Sequence, residues 1–135
     1  MNPEQAIQDF EYEQLWSDAL QNRSGVDDSP AIYAIVTSAP FQRLNSQSRV
    51  LYIGKTGCLG GSTDRCRLYA YRYAPKGQHG SRVRYSVAEV QAIGHSIYLR
   101  WKKLATEAEA EDWEKKLLAA YVVEHLELPP FNRRT

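Results

Sequence analysis

Apolar positions along the chain cluster into short runs whose spacing switches between helical and extended periods. Asn2 is a capping residue, Pro3 suits a first helical position and Gln5 completes a capping-box spacing. A first helix is therefore predicted to about Leu20, docked by Phe10, Leu15 and Trp16. GVDDSP, residues 25–30, reads as a linker. AIYAIVT (31–37) and RVLYIGK (49–55) are rich in β-branched and aromatic residues and predict two strands. Leu68, Tyr69 and Tyr73 follow the glycine-rich TGCLGGS at spacings that predict a helix over 62–73. PKGQHGS then reads as a loop, and Ser86 with Glu89 as a capping box for a short helix to about Ile93. SIYLRW (96–101) alternates like a third strand. Thr106 and Glu109 open a long helix to about Leu126, which Pro129 and Pro130 keep from continuing. The predicted order is α, β, β, α, α, β, α, with residues 1–30 as an N-terminal helical extension and linker and 31–135 as the main domain.

Composition narrows the class. At 135 residues, 43% hydrophobic and with fifteen aromatic side chains, the chain can bury one core. No run of about 18 apolar residues is present to cross a bilayer, and MNPEQAIQDF lacks the basic-then-apolar order of a secretion signal. The cytoplasm is the expected compartment and no membrane partner is expected. Cys58 and Cys66 have no second pair and no histidine at zinc-ligand spacing, so free, partly buried thiols are expected. The formal charge of +1 conceals a division: residues 1–30 carry a net −6, residues 65–103 a net +8, and residues 104–127 a net −5. Such segregation suits a polyanion laid on one face, or acidic and basic faces that pair with each other.

On the last predicted helix, at 100° per residue, Glu114 falls between Leu117 at −60° and Leu118 at +40°, with Tyr121 at −20°. A carboxylate inside an apolar stripe loses hydration worth about several kcal/mol unless a cation, a metal or several donors replace it. The alternatives are escape at the stripe's edge or a quiet buried pair with an arginine. Glu107, in the first turn, is accounted for by the helix dipole.

The run YIGKT at residues 52–56 invites comparison with a phosphate-binding loop, but Arg49 stands where that loop needs its first glycine, inside a presumed strand. Nucleotide phosphotransfer is accordingly a distant alternative. Taken together, AIY at 31–33, YIG at 52–54, arginines ten to fifteen residues later, Glu114 and PPFN ending at Asn132 make residues 31–132 similar to the GIY-YIG nuclease family. The resemblance implies an α/β (α+β) fold, a small three-stranded antiparallel or mixed sheet flanked by helices, here with an extra N-terminal helix.

It further implies a DNA phosphodiester cut by a water nucleophile with one divalent metal, Mg2+ or Mn2+. Tyr33 would be the general base or water-orienting group, and Tyr52 would hydrogen-bond the water or phosphate. Lys55 would lower the tyrosine's pKa or hold a phosphate oxygen, Glu114 would hold the metal, and Asn132 would brace the pocket. Such hydrolysis needs a deprotonated water, positive charge at the nonbridging oxygens and a metal near the leaving oxygen. An unperturbed tyrosine, with a pKa of about 10, is a poor base at neutral pH, so nearby cations matter.

Two arginines, Arg65 before Tyr69 and Arg67 before Tyr71, stand one turn ahead of an aromatic residue, as the resemblance requires; Leu68 beside Arg67 favours Arg67. The sequence departs from the family at Ala31, in place of glycine, and in a longer loop at 57–64 that either contacts DNA or reaches around the fold. Arg72, Lys76, Arg82 and Arg84, interleaved with Tyr69, Tyr71, Tyr73 and Tyr85, are candidate DNA contacts. His79, His95 and His125 lack metal-ligand spacing and read as structural, and Trp16, Trp101 and Trp113 as core. The alternative to an endonuclease is a catalytically silent nucleic-acid-binding or protein-interaction module of the same fold.

Overall fold

The computed structural model describes residues 1–21 and 25–132. Among the described residues nine elements follow in order: α1 (Pro3–Gln8), β1 (Tyr12–Leu15), α2 (Trp16–Leu20), β2 (Ala31–Gln42), β3 (Gln47–Thr56), α3 (Arg67–Tyr73), α4 (His79–Ala92), β4 (Ile97–Lys103) and α5 (Glu107–His125). The fold is mixed α+β, with one antiparallel sheet in the order β1-β4-β2-β3. The sheet has four strands rather than the three expected. No helix among the described residues is long and apolar enough to cross a membrane.

The fourth strand comes from the segment expected to be helical. Asn2 caps as predicted, its side chain accepting from the Gln5 amide, but α1 ends at Gln8. Ile7 and Phe10 pack against one face of the sheet, whereas Trp16 and Ala19 pack against the other. A straight helix cannot serve both faces. The chain instead runs along the sheet's edge as β1, where Tyr12 stacks on Trp101 and Arg100 takes the Ile7 carbonyl and pairs with Glu13.

Alternation on β2 assigns side chains to two layers. Ala31, Tyr33 and Ile35 face α2, α3 and α4, while Ile32 and Ala34 face α1 and α5 with Leu117 and Tyr121. On α5, Thr106 caps through the Glu109 amide, and Ala110, Leu117, Tyr121 and His125 are its buried positions, as the helical angles require. Trp16 and Trp101 are core, and Trp113 is half-buried against Phe10.

Three further expectations change. The helix expected over 62–73 starts only at Arg67, and α4 begins at His79, inside the expected loop and seven residues before Ser86. Cys58 and Cys66 are not free thiols but a disulfide, with their α-carbons 4.7 Å apart. The loop between them folds back on residues 27–29, where the Gly60 amide reaches the Asp27 carbonyl at 2.8 Å and the Leu59 amide that of Ser29 at 3.2 Å. These bonds seat the long loop against the segment that precedes β2.

Candidate functional site

The site grows from adjacent positions on β2 and β3. Tyr33 pairs with Gly54 and Ile35 with Tyr52, so antiparallel register places both phenols on one face. Their ring centroids are 6.0 Å apart. Gly54 makes room for them: a Cβ there would stand 2.6 Å from Tyr33 Cζ and Oη and from Tyr52 Cε2.

α3 and α4 complete the cluster. The Tyr71 hydroxyl bonds that of Tyr33 at 2.6 Å, and the Tyr52 hydroxyl bonds His79 Nε2 at 3.0 Å. Tyr33 and Tyr71 are enclosed, at 1% and 0% exposure, while Tyr52 keeps 9%. Burial raises the pKa of all three phenols, with the neighbouring tyrosines adding to the rise at Tyr33 and Tyr71. The expectation of a lowered tyrosine pKa therefore fails. Lys55 cannot supply it, since its ammonium turns to Glu107 at 3.3 Å on the other side of β3.

The cation beside the phenols is Arg67, at the start of α3. Its charge opposes the rise at Tyr33, Tyr52 and Tyr71, and the phenol oxygens, Tyr33 foremost, in turn hold its own pKa up. Its side chain makes no hydrogen bond or ion pair among the described residues, and its Nε is buried without a partner. Its position is fixed by the backbone, because the Arg67 and Leu68 amides bond the Cys58 and Leu59 carbonyls at 2.8 and 2.9 Å. Arg65, two residues earlier, is exposed.

Glu114 approaches from α5. It is half-buried, and burial raises its carboxyl pKa, opposed by the Lys55 charge and amide and by Arg67. No ion pair involves it among the described residues, whereas its helix neighbours Glu111 and Asp112 pair with Lys115 and Lys116. Among the described residues no three His, Cys, Asp or Glu side chains converge as a ready-made metal cage. A single half-buried carboxylate is compatible with Mg2+, which keeps several waters and is commonly held through one or two carboxylates plus a phosphate. Asn132 lies on the edge of β3, where its amide bridges the Ile53 amide and carbonyl at 2.9 and 2.8 Å, as a strand would.

The candidate DNA contacts divide. Lys76 is exposed, and Arg82, also exposed, bonds the Gly77 carbonyl. Arg72 lies over the Tyr73 ring. Arg84 instead closes the end of α3, with Nη1 on the Tyr71 and Arg72 carbonyls at 2.9 Å each. Tyr73 and Tyr85 are exposed and Tyr71 is core. His79, read from the sequence as a structural histidine for want of metal-ligand spacing, is hydrogen-bonded as expected, but its partner is Tyr52 of the cluster. Tyr71, read as a spacing partner of Arg67 and as one of the tyrosines among the candidate DNA contacts, is instead a buried member of the phenol cluster. Comparison of the chain with models of protein families, with curated proteins and with solved structures finds no match.

Proposed function

We propose that the chain is a metal-dependent endonuclease of the GIY-YIG type, hydrolysing DNA phosphodiester bonds. What carries this is the unpaired guanidinium of Arg67, half-buried among three phenols and within electrostatic reach of Glu114, a carboxylate with no ion pair among the described residues. A half-buried cation with no ion pair and a half-buried carboxylate held only by a backbone amide and nearby charge are both incompletely neutralised, and a phosphate with a divalent ion would complete both.

In this scheme Arg67 takes a nonbridging phosphate oxygen and offsets the charge that grows there as water attacks. Tyr33 stays protonated, donating or accepting through Tyr71 and fixing the rings rather than serving as a phenolate. Tyr52, the least enclosed phenol, orients the water. Glu114 would hold the metal, which supplies Lewis-acid charge at the leaving oxygen. Asn132 keeps the β3 edge, and with it Tyr52 and Gly54, in register.

One observation favours the silent binding module instead: enclosure of Tyr33 and Tyr71 leaves little phenol surface for a substrate. Supercoiled and branched DNA incubated with Mg2+ or Mn2+, beside a Glu114→Ala control, separates the two. The nuclease nicks or cuts in a metal-dependent way that the variant loses; DNA that is retarded in a gel but never cleaved identifies the binder.

A further inference from the structure

A nuclease built on this cluster lacks a base, because every phenol in it is held protonated at neutral pH by burial. The hydrogen bond from Tyr52 leads out of the cluster to a group that can accept a proton. We propose that His79 is the terminal proton acceptor of the site, drawing the proton of the attacking water through the Tyr52 hydroxyl. This rests on the nuclease function proposed above.

The geometry comes first. His79 Nε2 lies 3.0 Å from Tyr52 Oη, and the two rings are tilted at 43° with their centroids 5.6 Å apart. His79 is the first residue of α4, a 14-residue helix whose cap, Gln78, makes no side-chain hydrogen bond. Its ring sees the positive end of the helix dipole. The charged and titratable groups facing it are Tyr52 from β3, Arg67 from α3 and Arg82 from α4, and no carboxylate bonds it among the described residues. Burial first, then the two arginines, lowers its pKa, so the ring is neutral at pH 7 with a nitrogen lone pair free to accept. A small cleft lined by His79, Arg82, Val83, Ser86, Pro130 and Phe131 gives it a path to solvent.

The step balances. As the water oxygen bonds phosphorus, its proton passes to Tyr52 Oη while the Tyr52 proton passes to His79 Nε2. The bond from phosphorus to the leaving sugar oxygen breaks, and that oxygen takes a proton from solvent. His79 then releases its proton to water, restoring the resting site. Tyr52 is never a free phenolate.

The test measures single-turnover cleavage against pH for the wild type, His79→Gln and His79→Asn, with DNA affinity and thermal unfolding as controls. The expected wild-type profile has an acid limb below pH 6.5. Both variants should lose about 10²–10⁴-fold in rate near pH 7 without weaker DNA binding, and the limb should disappear. Tyr52→Phe should remove the same limb. On the wild type, nitrogen NMR of the imidazole should find Nε2 unprotonated at pH 7. Cleavage by His79→Gln with the wild-type rate and profile overturns the assignment, as does a proton found on Nε2. Absence of any cleavage by the wild type overturns the nuclease function itself, and the role of His79 with it.

Discussion

Gly54 and Glu114 show how single residues set the terms for the cluster. Adding a methyl group at Gly54 would drive a carbon to 2.6 Å from both tyrosine rings, which are packed and cannot swing into open space. Gly54→Ala should cost about 1–3 kcal/mol, as overpacking does, and displace the Tyr52 hydroxyl; urea unfolding and cleavage rate both report it. Glu114 behaves oppositely. Folding raises its pKa, so the native state holds that proton more tightly than the unfolded chain does. Its ionisation therefore subtracts stability as pH rises through the interval from the ordinary glutamate value to the folded one, and the loss persists at pH 7. Glu114→Gln removes the charge and keeps the shape. Its melting temperature at pH 7 should match or exceed that of the wild type without added metal, the difference vanishing below about pH 4, while metal-dependent cleavage falls about 10²-fold or more. A drop in stability at pH 7 would mean the carboxylate has a partner that neutralises it.

α3 is a short element, seven residues, that owes its place to cross-links rather than to length. Cys66 is its N-cap residue without a side-chain capping bond, the disulfide ties it to Cys58, and Arg84 satisfies carbonyls at the other end. Closing so short a loop is worth about 2–3 kcal/mol of unfolded-chain entropy. Replacing both cysteines with serine should lower unfolding free energy by about that amount and make it insensitive to dithiothreitol, whereas the wild type should lose stability on reduction. Arg67 starts this helix, so cleavage should fall with it. This element also marks the limit of what could be read in advance. Strands β2, β3 and β4 and the cap of α5 were legible, because alternation and capping are local signals. Glu114 was legible from helical angles, whereas the two tyrosine motifs were picked out by a family resemblance rather than by any local period. The break in the first helix was not: burial of Ile7 on one face and Trp16 on the other is a property of the finished sheet. Nor was the bond between Cys58 and Cys66, whose approach depends on the loop folding against residues 27–29. The start of α4 at His79 was missed by placing a loop there, so the approach of that histidine to Tyr52 was not foreseen.

Across the whole molecule, the acidic opening and basic middle partly neutralise each other. Glu13 pairs with Arg100, Asp27 with Lys103, and Glu11 takes the Lys103 amide, so three of the seven N-terminal acids are engaged by β4 rather than left to repel a polyanion. Arg65, Arg67, Arg72, Lys76, Arg82, Arg84 and Lys102 have no acidic partner among the described residues. Most of this remaining charge belongs to α3, α4 and the turn between them, the elements that carry Arg67 and His79 to the tyrosines. If the proposed function holds, a duplex seated there would meet these cations and the candidate site together, and its affinity should fall steeply with salt as counterions are released. Lys76→Ala and Arg82→Ala, both at exposed positions, should each reduce the slope of log affinity against log salt by about 1 while leaving the melting temperature unchanged. Arg84→Ala should do the reverse, lowering the melting temperature because the Tyr71 and Arg72 carbonyls lose their donor, with a smaller change in slope. Fluorescence anisotropy on labelled DNA across a salt series measures both. Equal slopes for wild type and the Lys76 and Arg82 variants would place the DNA on another face.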